Sequence, residues 1–276
     1  MNLDFKRAVK DVFGLQYFWV YLFIFAVVMT LSSIFQSAEN MPYHDLISKF
    51  ISAFTYISSG YLFIMVHNLL NDNDLNGETF IQTFQSSITN GSKVFLGTLI
   101  YVFFLFFTGS IEAILATFAF IKITKNVVTE MNLLSFPVLN AIFLLIVLSL
   151  GICMLFVLKF FPVAYSEKYS LKDMFRLKKV FKNFFRKDKI KDTLFVISFY
   201  IFVILFAISV FWVITFLFNL LMVYLTKFMI INHYLGYLLL SQISNVAGPF
   251  LIGMFHFSIQ GIIYHLLAQI YGRESL

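Results

Sequence analysis

Polar residues divide this chain into long apolar stretches. Counted from one polar interruption to the next, apolar runs cover Leu15 to Phe35, Ile47 to Leu70, Val94 to Ile121, Leu133 to Val163, Thr193 to Leu225 and Pro249 to Tyr271. About 20 apolar residues cross a hydrocarbon core as an α-helix, so every run is long enough to span a bilayer. None alternates with a period of two, as a barrel strand would, and backbone groups in hydrocarbon must bond to one another. The pattern predicts an all-α polytopic membrane helix bundle of about six transmembrane helices, with residues 1–276 forming a single integral membrane domain.

Two runs need a closer reading. The first follows a short basic start, yet it exceeds the roughly 7–15 apolar residues of a signal core and no small-x-small cleavage site follows it. It is read as a retained span. Between Thr193 and Val246 the sequence is apolar almost throughout. Asn245 followed by Pro249 resembles a fresh helix start, because proline suits a first helical turn. Phe228 to Asn245 is therefore expected at the outer surface.

The polar interruptions carry a pattern of their own. Ser170 to Lys187 reads SLKDMFRLKKVFKNFFRK. At 100° per residue, Leu171, Met174, Phe175, Phe181, Phe184 and Phe185 share one side and lysine, arginine and asparagine take most of the other. Ser170 with Asp173 resembles a capping pair. This segment is expected to be an amphipathic helix in the headgroup layer, with Lys172, Arg176, Lys179, Lys182, Arg186 and Lys187 toward anionic lipid. Met1 to Phe13 is a smaller version, with Phe5, Val9, Val12 and Phe13 beside Lys6, Arg7 and Lys10.

Composition fits a membrane protein. Apolar residues make up 60% of the chain and charged residues 12%, against roughly 45–50% and 25% in soluble domains. The 38 phenylalanines are spread over all the runs and read as lipid-facing or core residues. Cys153 is the lone cysteine, so no intrachain disulfide forms.

Charge gives direction. With six spans, one side receives fifteen basic residues, including Lys6, Arg7, Lys10, Lys93, the run from Lys168 to Lys191, and Arg273, and the other receives four. Basic residues accumulate on cytoplasmic loops, so both termini are expected in the cytoplasm. Lys159 lies near the inner end of the fourth run, from where it can snorkel to that surface.

Polar residues inside the runs are the candidates for chemistry, because they are costly against lipid. In the last run Gly253, His256, Gln260 and Tyr264 form one stripe, and Ser258, Gly261, His265 and Gln269 form another. Both faces are expected to meet other helices or a water-filled cavity. Interhelical hydrogen bonding and a polar path for a solute or proton are the two readings. Glu112 is the acidic residue well inside an apolar run, either at the outer interface or as a buried carboxylate. Glu112, His256, Gln260 and His265 are thus the candidate intramembrane polar site.

Other motifs fail on inspection. Asp72, Asp74, Asn76 and Gly77 match the opening of a calcium loop, but its twelfth position is Thr83 instead of a bidentate glutamate. His256 and Gln260 are four apart, yet glutamine is a poor transition-metal ligand and no HExxH is present. Asn90-Gly91-Ser92 is a glycosylation sequon on the expected cytoplasmic side. No Walker loop, GxSxG turn or paired-carboxylate motif occurs. No metal, cofactor, catalytic residue or nucleic-acid partner is expected.

Pro249-Phe250 and His265-Leu266-Leu267-Ala268-Gln269-Ile270-Tyr271 resemble the closing pattern of a prokaryotic membrane family, domain of unknown function 4013. Gly60-Tyr61 with Asn68 resembles its second span, and Ala164-Tyr165 followed by Leu171 and Phe175 resembles its connector. Where that family usually has Leu-Pro-x-Trp, this chain has Leu75-Asn76-Gly77-Glu78. The resemblance implies a helical protein of a prokaryotic cytoplasmic membrane, without known catalytic residues. The leading expectation is a non-enzymatic protein whose basic connector engages anionic lipid headgroups or a membrane-protein partner. The alternative is a small-solute transporter or channel subunit with a polar site along the last span.

Overall fold

The computed structural model describes residues 3–38, 42–73, 79–125, 159–227 and 246–272. Most of the expected fourth span and the segment Phe228 to Asn245 lie outside the described residues, as do positions 74–78 of the acidic turn. The helices are α1 (Phe5–Phe13), α2 (Phe18–Ser37), α3 (His44–Ala53), α4 (Thr55–Leu70), α5 (Phe80–Lys125), α6 (159–166), α7 (Leu171–Met174), α8 (Leu177–Phe185), α9 (Ile190–Lys227) and α10 (Gly248–Gly272). No strand occurs among the described residues. Five stretches there are long and apolar enough to cross a membrane: Phe18–Ser37, His44–Leu70, Phe80–Phe107, Ile190–Ile214 and Gly248–Gly272. Their length and composition identify a helical integral membrane protein.

The second run is bent where α3 meets α4. Ser52 and Thr55 turn their hydroxyls back onto the carbonyls of Lys49 and Ser52, at 2.8 and 2.6 Å. Such back-bonding bends helices. Above the bend, Ser32 of α2 and Ser48 of α3 exchange hydrogen bonds, Ser32 Oγ to Ser48 O at 3.0 Å and Ser48 Oγ to Ser32 O at 2.8 Å.

The third run differs most from its expected bounds. Its helix starts at Phe80 rather than Val94, through a stretch too polar to count as apolar sequence. These residues have a reason to be helical, because α4 and α5 form the most extensive helix pair among the described residues. A Cβ on Gly60 would stand 2.0 Å from the Ser87 carbonyl oxygen, and one on Gly91 would stand 2.1 Å from that of Tyr56. The two backbones are in contact, as small residues permit in membrane bundles. Ser87 and Asn90, on the same stretch, are buried and bonded, with Ser87 Oγ 3.1 Å from Tyr21 Oη and Asn90 Oδ1 accepting from Tyr165 Oη at 2.8 Å.

The last helix lies at the centre, with α2, α4 and α9 along its length and α1 and α8 at its C-terminal end. Buried side chains concentrate around this end, including Tyr264, Leu266 and Leu267 of α10, Phe63 and Met65 of α4, and Phe160 and Tyr165 of α6. The far part of α9 is different. Phe202, Leu205, Phe206, Trp212 and Phe216 are all more than half exposed, a surface suited to hydrocarbon.

The basic connector is two short helices with a break at Phe175 and Arg176, not one continuous helix. Ser170 stands at the N-cap of α7, but its hydroxyl makes no capping bond, and Asp173 pairs with Arg176 at 3.0 Å instead. Just before it, Tyr169 takes a left-handed conformation at φ 50°, unusual for a bulky residue. Its ring stacks on His67, with centroids 4.0 Å apart.

Replacing Gly60 or Gly91 with alanine is expected to force α4 and α5 apart. Thermal or denaturant unfolding in detergent should show a loss of about 1–3 kcal/mol, the range for overpacked cores. Ser92→Ala, at an exposed neighbouring position, should leave stability unchanged.

Candidate functional site

His256 and His265 are nine residues apart, about 900° around a helix, and so face opposite ways. On the His256 side, the imidazole stacks on Phe25 of α2 with centroids 5.9 Å apart. One turn on, the buried Gln260 donates from Nε2 to Tyr264 Oη at 3.3 Å, and its Oε1 has no hydrogen-bond partner among the described residues. Ser258 bonds back to the Met254 carbonyl at 2.9 Å.

On the other side, α1 is bolted to α10. Asp4 N–H donates to Gln269 Oε1 at 3.0 Å, and Gln269 Nε2 donates to Asp4 O at 3.2 Å. A backbone N–H can only donate, so this pair fixes which end of the Gln269 amide is oxygen. The same Nε2 lies 3.1 Å from His265 Nδ1, which must accept. His265 therefore carries its proton on Nε2, where it donates to Asp11 Oδ2 at 3.0 Å. Asp11 also holds Arg7 at 3.3 Å. A neutral imidazole has one donor and one acceptor, and here both are used. Val12 lies beside Gly261, and Ala8 and Val12 are fully buried. Asp4 caps α1 by accepting from Arg7 N–H at 2.7 Å.

The connector closes the same end of the bundle. His67 Nδ1 donates to the Ser166 carbonyl at 2.7 Å, and Asn71 Nδ2 donates to the Glu167 carbonyl at 3.2 Å. Glu167 Oε2 accepts from Tyr271 Oη at 2.9 Å and pairs with Lys179 at 2.5 Å. Lys189 is buried and reaches the Tyr271 carbonyl at 3.4 Å. Tyr101 Oη donates to Met174 O at 3.3 Å, and its ring stacks on Phe175. Met174, Val180 and Phe184 are completely buried. Much of the apolar face read from the sequence is thus turned into protein.

The six cations expected at the lipid surface fall into two groups. Arg176, Lys179 and Arg186 are in ion pairs with Asp173, Glu167 and Asp188. The Arg186 guanidinium, hydrogen-bonded to Asp188, holds that carboxyl down at about 2, so the exposed pair stays charged across physiological pH. Lys172, Lys182 and Lys187 are exposed and have no carboxylate within ion-pair distance among the described residues. Leu177 and Phe181 are exposed beside them, at 45% and 47%.

The candidate intramembrane residues do not converge on one site. His265 serves the contact with α1, whereas His256 and Gln260 lie on the opposite side of α10. Glu112 belongs to α5, and its side chain lies outside the described residues. No three potential metal ligands cluster among the described residues. Asn90 of the sequon is buried and bonded.

Lys159 is the residue sequence reasoning placed wrongly. It does not snorkel: it is 7% exposed, with Nζ 4.4 Å from the ring centroid of Tyr200 and 5.4 Å from that of Tyr264. The available signal was its place between the apolar residues Leu158 and Phe160, several residues short of the polar connector. The fold and the polar contacts define a multi-pass helical membrane protein with a closed, hydrogen-bonded core at one end. The chain matches no protein-family model, no curated protein and no solved structure.

A double-mutant cycle on Asp11→Ala and His265→Ala should report a coupling of about 0.5–3 kcal/mol in unfolding measurements, the range for directly bonded residues. Additive effects would mean that α1 is not held by this contact.

Proposed function

We propose that this is a non-enzymatic six-span membrane protein that presents a basic surface, built from α1 and the connector, to anionic lipid headgroups in the cytoplasmic leaflet. The observation that carries this reading is the trio Lys172, Lys182 and Lys187, exposed around Leu177 and Phe181 while the neighbouring acids are occupied by other cations. Apolar side chains flanked by free ammonium groups suit the boundary between headgroups and acyl chains. Each such cation contributes about 1 kcal/mol near an anionic surface.

Topology supports the same side for both termini. The start of α1 bonds to Gln269 near the end of α10, and Glu167 beside the connector bonds to Tyr271. An even number of crossings satisfies these contacts, and the basic excess on this side favours the cytoplasm. A role as a prokaryotic family member related to domain of unknown function 4013 belongs to the same proposal. Its support is the sequence resemblance alone, carried by Gly60-Tyr61 with Asn68, Ala164-Tyr165 with Leu171 and Phe175, and Pro249-Phe250 with His265 to Tyr271. The competing transporter reading has weaker support, since His265 and Gln269 are engaged in holding α1.

Mass spectrometry of lipids retained by the purified protein tests the lipid reading. The protein from a mixed phosphatidylglycerol and phosphatidylcholine membrane should be enriched in phosphatidylglycerol. The triple variant Lys172→Gln, Lys182→Gln, Lys187→Gln should lose most of that enrichment, and salt should lower it in the native chain. Equal enrichment in both proteins would overturn the proposal. A reporter fused to the C-terminus should read as cytoplasmic, and an external signal would overturn the six-span topology.

A further inference from the structure

The contact between α1 and the last helix holds a hydrogen-bond set whose donors and acceptors are all assigned. Gln269 Oε1 accepts from Asp4 N–H at 3.0 Å, while its Nε2 lies 3.2 Å from Asp4 O and 3.1 Å from His265 Nδ1. Asp4 presents a backbone donor and a backbone acceptor, and neither can exchange roles. The Gln269 amide therefore cannot turn over without losing both bonds. His265 Nε2 in turn donates to Asp11 Oδ2 at 3.0 Å. The set is complete only while the imidazole is neutral.

A second proton on His265 goes to Nδ1 and makes that atom a donor. It then faces the Gln269 amino group, which also donates. The imidazole is 1% exposed and cannot turn to solvent, whereas the bonds between Asp4 and Gln269 lie at the exposed edge of the contact. Hydrogen bonds from a charged donor are roughly twice as strong as neutral ones. The favoured response is for the amide to turn over, giving Oε1 to the imidazolium and leaving the Asp4 N–H and carbonyl to solvent. Asp11 is held more tightly at the same time, because its bond to Nε2 becomes an ion pair.

The charged groups that act on His265 among the described residues are Asp11 and Arg7, both of α1 and paired with each other. The described residues of α2, α4, α8 and α9 add no titratable group to this set. The Asp4 carboxylate faces its own helix, where it accepts from Arg7 N–H at 2.7 Å. Asp11 is 20% exposed, so a proton can reach the ring from this end of the bundle.

We propose that Asp4, His265 and Gln269 form an acid-released latch: a proton on His265 turns the Gln269 amide and frees the first turn of α1, while Asp11 keeps the rest of that helix docked. Lys6, exposed on the freed turn, moves with it. The latch stands whether or not the basic surface meets lipid.

Hydrogen–deuterium exchange of the full chain in detergent tests the latch, resolved to single amides by electron-transfer fragmentation. Protection factors are compared at about pH 7.5 and about pH 5, the latter above the ordinary carboxylate range. The Asp4 amide should be protected at the higher pH and lose about tenfold or more of its protection at the lower one, as a locally opened contact does. The amides of Val12 and Phe13 should keep theirs. Nitrogen-15 NMR of the His265 ring should show Nδ1 gaining its proton over the same range. Gln269→Glu offers two acceptors, one for Asp4 N–H and one for the imidazolium, and needs no turnover, so its Asp4 amide should stay protected at both pH values. The first two readings use the native chain and do not depend on how the variant folds. Unchanged protection of Asp4 in the native protein would overturn the proposal. So would opening while Nδ1 stays unprotonated, equal loss in folded Gln269→Glu, or loss of protection throughout α1.

Discussion

Lipid tails are as apolar as leucine, so a helix inside a bilayer gains little by turning an apolar face toward another helix. Association must come from contacts that lipid cannot imitate, namely close backbone approach and hydrogen bonds. This chain uses both. Gly60 and Gly91 bring α4 and α5 into backbone contact, and the polar stripes of α10 reach α1 and α2. The remaining helices arrange themselves around these attachments. The outer part of α9, with few such groups, stays exposed.

The same constraint shapes the basic end. A free carboxylate or amide beside hydrocarbon is costly, and Glu167, Asp173, Asn71 and Gln269 are each bonded to a neighbouring segment. Met174, Val180 and Phe184 fill the space beneath them. The connector is therefore part of the packed core first and a surface second. The cations left over, with Leu177 and Phe181 between them, face outward. One short segment thereby packs into the core with one side and leaves basic residues exposed on the other.

The helical membrane class and five of the expected runs were legible because burial in hydrocarbon requires length and low polarity, and both are read directly from sequence. Pro249 to Tyr271 became Gly248–Gly272, and Thr193 to Leu225 became Ile190–Lys227. The start of α5 was not legible. Phe80 to Lys93 is polar because it packs among serine, asparagine and tyrosine partners, and only tertiary contacts make it helical. The connector's periodicity was visible, but not whether its apolar side meets lipid or protein, since both reward the same pattern. Lys159 was misplaced for a related reason: a lysine near a helix end snorkels unless aromatic rings enclose it, and Tyr200 and Tyr264 are distant in sequence.

The account stands on the buried part of α10, from Gln260 to Ala268, being enclosed by protein among the described residues. Thiol accessibility in sealed vesicles tests this most directly, using a Cys153→Ser background with single cysteines at Gln260, Leu266 and, as an exposed control, Lys182. A membrane-impermeant thiol reagent applied from either side should modify position 182 quickly and leave 260 and 266 unmodified until the protein is unfolded in strong detergent. Rapid modification of 260 or 266 in the folded protein would contradict a closed core and point to a water-filled route along the last helix.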